Sequence, residues 1–230
     1  MTVGSLFSGI GGFDLGFTRA GFDIAWQVEL DPKKRAVLEH WWPSVERFTD
    51  ITTLQESDLA AVDVVTAGFP CQEISTAGPR TGIAGPKSGL WAHVPRVLRA
   101  VGCRYALLEN SPSLLKRGLG TVLSDLAGCG FDAEWDVLPA AAFGAHHLRA
   151  RLWILAYPRR EREQANQTVF AGRRFVDVCA RWPTESPLGR VADGIPGGMD
   201  RLHGLGDAIV PQIAEWIAER IKACAMTDRP

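Results

Sequence analysis

The sequence predicts an α/β fold: a doubly wound, mostly parallel sheet with a small irregular insert. Short apolar runs ending in glycine or an acid alternate with helix-length amphipathic segments. Two runs, 63–67 and 105–108, are nearly uninterrupted, as in strands buried on both faces. Glycine- or proline-bearing turns follow these runs, at the end where doubly wound sheets bind ligands.

Residues 3–7 open as a strand, 13–20 read as a helix closed by Gly21, and 24–28 form a second strand. Asp31 fits the start of a further helix, and a third short strand ends near Asp50. The runs 63–67 and 105–108 flank a helix over about 91–101, which makes a βαβ crossover. A helix over 114–126 and two late strands, 133–139 and 152–156, complete the main body, 1–157. From Pro158 the periodicity fades into Arg-, Gly- and Pro-containing sequence, so 158–205 reads as an insert too short for a core of its own. The returning segment, 206–230, carries an amphipathic helix with apolar residues at 209, 213, 216, 217 and 221.

With 230 residues, 46% of them hydrophobic, the chain suffices for one core and a small appendage. It holds no run of about 18 apolar residues and no basic-then-apolar leader, so no membrane span is expected and the cytoplasm is the expected location. Its five cysteines are scattered and never form C-x-x-C, which argues against a disulfide framework and against metal. Any cysteine that matters should be a free thiol. The net charge is −1, yet residues 147–190 hold nine arginines against four acids. Such a stretch suits a phosphate-contacting surface, or it is a solvated loop.

Four groups of residues carry chemistry. The turn Phe7-Ser8-Gly9-Ile10-Gly11-Gly12 lies between the first strand and first helix, where glycines admit a ligand and helix N–H groups favour an anion. Glu29, after the second strand, is placed to accept from ribose hydroxyls, with Asp50 beside it; a purely structural turn is the alternative. Gly68-Phe69-Pro70-Cys71-Gln72 puts Cys71 at the same edge, and the Gly/Pro-rich stretch 75–88 reads as a lid. A lone cysteine is otherwise commonly buried filler. Glu109-Asn110 ends another strand, so an acid and a thiol converge, unless Glu109 only caps a helix. Arg149 and Arg151, one residue apart on a strand, share a face and suit a phosphate clamp that also lowers the thiol pKa, or are surface decoration.

In this order the motifs resemble those of the DNA cytosine C5 methyltransferase family, over about the first 157 residues and the last 25. FSGIGG resembles the family's cofactor loop, GFPCQ its nucleophile motif, EN its substrate-reading motif, RAR its phosphate clamp, and Gly206–Pro211 its closing cofactor motif. The resemblance implies S-adenosyl-L-methionine as cofactor. It places Phe7, Gly9 and Gly11 at the methionine part, Glu29 on the ribose, Asp50 near the adenine, and Pro70, Leu90, Asp207 and Ala208 in the same pocket. Cys71 would add to C6 of a flipped-out cytosine while Glu109 supports protonated N3, with Gln72 and Asn110 on the substrate side and Arg149 and Arg151 assisting. The body would then be the catalytic domain and the insert the target-recognition region, with Arg173, Arg174 and Arg181 touching guanines or phosphates of double-stranded DNA. So compact an insert implies a recognition sequence of few positions.

Three positions depart from the pattern: Ser111 for valine, His147 for glutamine and Asp207 for asparagine. A single-chain enzyme of a restriction–modification system, or an orphan methylase, is the expected setting. Two alternatives stand beside it: an RNA (transfer-RNA) methylase on the same fold, and a catalytically silent module that binds cofactor and nucleic acid.

Overall fold

The structure, a computed structural model, describes residues 1–70, 88–159, 169–170 and 208–227. Its strands are β1 (Thr2–Leu6), β2 (Asp23–Val28), β3 (Glu46–Phe48), β4 (Val64–Gly68), β5 (Tyr105–Asn110), β6 (Phe131–Pro139) and β7 (Ala150–Pro158). They form one sheet in the order β3-β2-β1-β4-β5-β7-β6. β1 to β5 are parallel, and β7 alone among the described strands runs against its neighbours. The expected doubly wound architecture is therefore present, with one reversed strand.

Helices cover both faces. They are α1 (Gly12–Arg19), α2 (Pro32–Trp41), α3 (His93–Val101), α4 (Leu114–Arg117), α5 (Leu119–Gly128) and α6 (Pro211–Thr227). On one face Trp26, Val65, Leu108 and Ile154 pack with Val97 and Leu98 of α3 and Val122 and Leu126 of α5. On the other, Val3, Val64, Leu107 and Trp153 pack with Phe13 and Phe17 of α1 and Ile213, Ile217 and Ile221 of α6. Alternation along the strands feeds both layers, so the runs look apolar throughout.

α1 and α6 approach backbone to backbone. A Cβ at Gly12 would stand 2.5 Å from the Ile209 carbonyl oxygen, and one at Gly16 2.6 Å from that of Pro211. Two glycines four apart thus make the groove that seats the start of α6.

Two elements differ from expectation. The helix expected over 114–126 is divided at Gly118, a weak helix former that leaves helical geometry there. α2 was signalled only by its cap: Asp31 accepts from the N–H groups of Lys33 (2.8 Å) and Lys34 (3.4 Å), and Leu38 is its one buried residue. No helix among the described residues is long and apolar enough to cross a membrane.

Candidate active site

The carboxyl ends of β1, β2, β3, β4 and β5 lie along one edge, and the reversed β7 brings its amino end to the same edge. Phe7, Glu29, Asp50, Pro70, Glu109, Asn110, Arg149 and Arg151 therefore assemble along one side of the sheet, as expected.

The glycine turn has a constrained backbone. Phe7, Gly9 and Gly11 all have positive φ (53°, 60° and 87°), and for a bulky residue such as Phe7 this is a strained conformation. Glu29 closes the turn, one carboxylate oxygen accepting from Gly9 N–H at 2.7 Å and the other from Asp31 N–H at 2.9 Å. Gly11 is the N-cap of α1 and offers no side-chain cap, so the helix start keeps donors for a ligand anion. Asp50 turns back on its own loop, accepting from Thr52 N–H and hydroxyl at 2.8 Å each, and these bonds hold its carboxyl below the usual range.

On the other half of the edge Glu109, 9% exposed, pairs in register with Gly68 of β4 and Trp153 of β7. Its carboxylate forms an ion pair of 3.0 Å with Arg151 Nε. Asn110, buried, donates from its amide to the Phe69 carbonyl at 3.1 Å and accepts from Ser111 N–H at 2.8 Å. Glu109 is thus no helix cap, and Arg151 no surface decoration.

Arg149 differs from its neighbour. It precedes β7 with a φ of 23°, so strand alternation does not set its direction, and its guanidinium donates to the Ala208 carbonyl at 2.6 Å. It ties the β6–β7 connection to the start of α6. A cavity of about 470 Å³ opens there, lined by Ile10, Gly11, Leu15, His147, Arg149 and Ala208 with their neighbours. Leu90, half-buried, packs against the same core layer as Phe7 and Phe48.

Cys71, Gln72, Asp207, Arg173, Arg174, Arg181 and nearly all of the expected lid, 75–87, lie outside the described residues. The described cysteines, Cys103, Cys129 and Cys224, form no disulfide among the described residues. Burial pushes the Cys103 thiol up to about 12 and that of Cys129 upward, which suits neither to nucleophilic work. No metal-binding cluster occurs among the described residues.

Sequence reasoning passed over three supporting residues. Arg35 donates to the carbonyls of Glu29 and Leu30, clamping the backbone that carries the Glu29 carboxylate. Asp14 and Gln27 are wholly buried and bonded to each other beneath the glycine turn. An acid inside the Phe13–Phe17 stripe of α1 was the available signal.

The family model for C-5 cytosine-specific DNA methylase matches residues 1–176. The Type II methyltransferase M2.BsuMI of Bacillus subtilis is 36% identical over 164 residues, 68% of this chain and 42% of that protein. M.Sau3AI of Staphylococcus aureus is 33% identical over 178 residues, covering 67% and 43%. The chain thus spans less than half the length of these relatives. Among solved structures, the S. pombe Dnmt2 methyltransferase matches with TM-score 0.58 at 22% identity, over 73% of this chain and 56% of that one. The Entamoeba histolytica methyltransferase EhMeth gives 0.59 at 14%, over 68% and 52%. These two likenesses concern the fold. With three quarters of its length matched by the family model and the matching acid, turn and arginine gathered at one sheet edge, the chain belongs to the C-5 cytosine-specific DNA methylase family.

Proposed function

We propose that this chain transfers a methyl group from S-adenosyl-L-methionine to C5 of a flipped-out cytosine in double-stranded DNA, through a covalent adduct on Cys71. The observation that carries this reading is the Glu109–Arg151 ion pair, one strand from the Gly68-Phe69-Pro70 turn that leads into Cys71. A carboxyl group held at a fixed place beside a nucleophile is what addition across an aromatic ring requires.

The residues present fit the donor. The uncapped start of α1 suits its carboxylate, Glu29 suits ribose hydroxyls, and the 7–11 turn has glycine at two of its positive-φ positions. When bound, the donor supplies an electrophilic methyl group. Cys71 adds through sulfur to C6 of the base, and Glu109 holds a proton at N3 so that electron density gathers at C5. Arg151 fixes the Glu109 carboxylate, and elimination returns Cys71 as a thiolate once a base has taken the C5 proton. Asn110 keeps the Phe69 carbonyl, and with it the approach to Cys71, in place.

In the same reading 1–157 is the catalytic domain and 158–205 the target-recognition insert, with Arg173, Arg174 and Arg181 facing DNA. Two-stranded DNA containing 5-fluorocytosine, which blocks elimination, tests it. A denaturation-resistant adduct with that DNA, lost in Cys71→Ala, is expected. An adduct formed only with RNA would assign an RNA substrate, and none with either would leave a silent binding module.

A further inference from the structure

Beneath the glycine turn, the sheet face covered by α1 carries a row of polar side chains. Arg47, Gln27, Ser5 and Thr66 are register partners across β3, β2, β1 and β4. Gln27, Ser5 and Thr66 are wholly buried, in a layer otherwise built of Val3, Val64 and Leu107. Asp14, in the first turn of α1, sets its carboxylate on this row with no exposure to solvent. It accepts from the Ser5 hydroxyl at 3.1 Å and from the Gln27 amide at 2.8 Å.

The direction of these bonds is imposed from outside. Arg47 can only donate; it is held by the Trp42 carbonyl at 2.7 Å and occupies the Gln27 side-chain oxygen at 3.3 Å. Gln27 is left to present N–H to Asp14. Donors therefore converge on the carboxylate and favour its ionised form, while burial opposes it and pushes the carboxyl up to about 6. No cation pairs with Asp14 among the described residues. On the packed elements the charged groups are Arg47 behind Gln27 and Glu46 on β3, Asp23 at the start of β2 and Glu29 bonded to Gly9 beyond its end, and on α6 Glu215 paired with Arg19, Glu219, Arg220 over the Trp216 ring and Lys222 bonded to the Ala20 carbonyl.

Each of the three buried members of the row leads into the site. Ser5 stands two residues before Phe7, Gln27 two before Glu29, and Thr66 two before Gly68. The Thr66 hydroxyl is buried without a hydrogen-bond partner among the described residues. Ser8 closes the layer above, its hydroxyl donating to the Ser5 carbonyl at 3.0 Å.

We propose that Asp14 is a positioning residue of the donor site and acts as a carboxylate: it fastens the roots of the 7–11 turn and of Glu29 together and sets a buried negative charge under the turn, complementary to a cationic sulfonium donor. This rests on the donor reading given above. The charge is the part that discriminates, because the demethylated product is a neutral thioether. By linkage, a cation that binds better above the ionised carboxylate displaces its proton, so acid weakens donor binding more than product binding.

Calorimetric titration of the full chain with S-adenosyl-L-methionine and with S-adenosyl-L-homocysteine, from about pH 5 to pH 8, reads this linkage. Donor affinity of the unaltered protein is expected to fall below pH 6, by up to about tenfold per pH unit, with product affinity falling less. Asp14→Asn keeps the shape and removes the charge; its donor affinity is expected to be lower at about pH 8 and flat with pH. Ser5→Ala removes one donor to the carboxylate and is expected to move the acid limb to higher pH, which keeps the test decisive if the first variant folds poorly. An Asp14→Asn profile parallel to that of the unaltered protein, or equal acid sensitivity for donor and product, overturns the proposal. Absence of donor binding at about pH 8 in the unaltered protein would instead remove the donor site itself.

Discussion

Asn110 donates its side-chain amide to the carbonyl of Phe69, so the last residue of β5 holds the turn that follows β4. The bond is buried and joins residues 41 positions apart. Its loss leaves a carbonyl without a partner, a penalty of about 1–3 kcal/mol. Asn110→Ala is expected to slow methyl transfer roughly 10- to 100-fold in single-turnover assays while donor affinity stays nearly constant. A change confined to donor affinity would count against this role.

Glu109→Gln keeps a group able to accept Arg151 but cannot hold or release the N3 proton. Transfer is expected to fall about 10²- to 10⁴-fold. Arg151→Ala should cost less, because it acts through Glu109, and the double variant should be close to Glu109→Gln alone. Rates for the three variants on one DNA substrate check this, and strictly additive losses would show two separate roles.

At Gly12 the neighbouring atoms are the backbone and Cβ of Ile209, in the segment that leads into α6, and these cannot swing aside. A Cβ there meets the Ile209 carbonyl oxygen at 2.5 Å and Ile209 Cβ at 2.8 Å. Gly12→Ala is expected to destabilise by about 1–3 kcal/mol, and thermal melting should fall roughly 3–10 °C. An unchanged melting temperature would mean that α6 shifts without loss.

Asp14 has the opposite sign. Its carboxyl rises from 3.8 to about 6 on folding, so the folded state prefers the protonated form. The associated stability is complete below pH 3.8 and is lost as pH rises through about 6. Asp14→Asn should therefore be more stable than the unaltered protein near neutrality, by on the order of 2 kcal/mol, with the gain vanishing in acid. Denaturant titrations at several pH values measure this. Increased stability together with weaker donor binding would mark a residue retained for use.

Much of this fold was legible because β1, β4 and β5 are buried on both faces and leave short apolar runs with a chemical residue after each. Glu109 could be placed beside the Cys71 turn on that basis alone, since consecutive parallel strands end at one edge. The reversal of β7 was not legible, because the apolar run 152–156 carries no mark of its direction. α2 escaped for want of a buried stripe, and the break at Gly118 because tertiary packing decides how a glycine is used. The row under the turn was hidden for another reason. Its members lie on four strands, and only the register of the finished sheet brings Gln27, Ser5 and Thr66 into line.

The reversal of β7 also constrains how the chain continues. This strand leaves the site edge at Ala150 and ends at Pro158 on the opposite edge, about 30 Å away for nine extended residues. Yet Ala208 is back at the site edge, bonded to Arg149 and lining the cavity. The interval between them has both ends on the rigid body, and within it the Val169 N–H donates to the Glu134 carboxylate of β6. Closing a chain segment between two fixed ends grows dearer only with the logarithm of its length, about 0.6 kcal/mol per doubling. A longer or wholly different segment can be spliced between the same two fixed ends without moving Glu109, Arg151 or the glycine turn, so under the function proposed above target choice and chemistry are free to change separately.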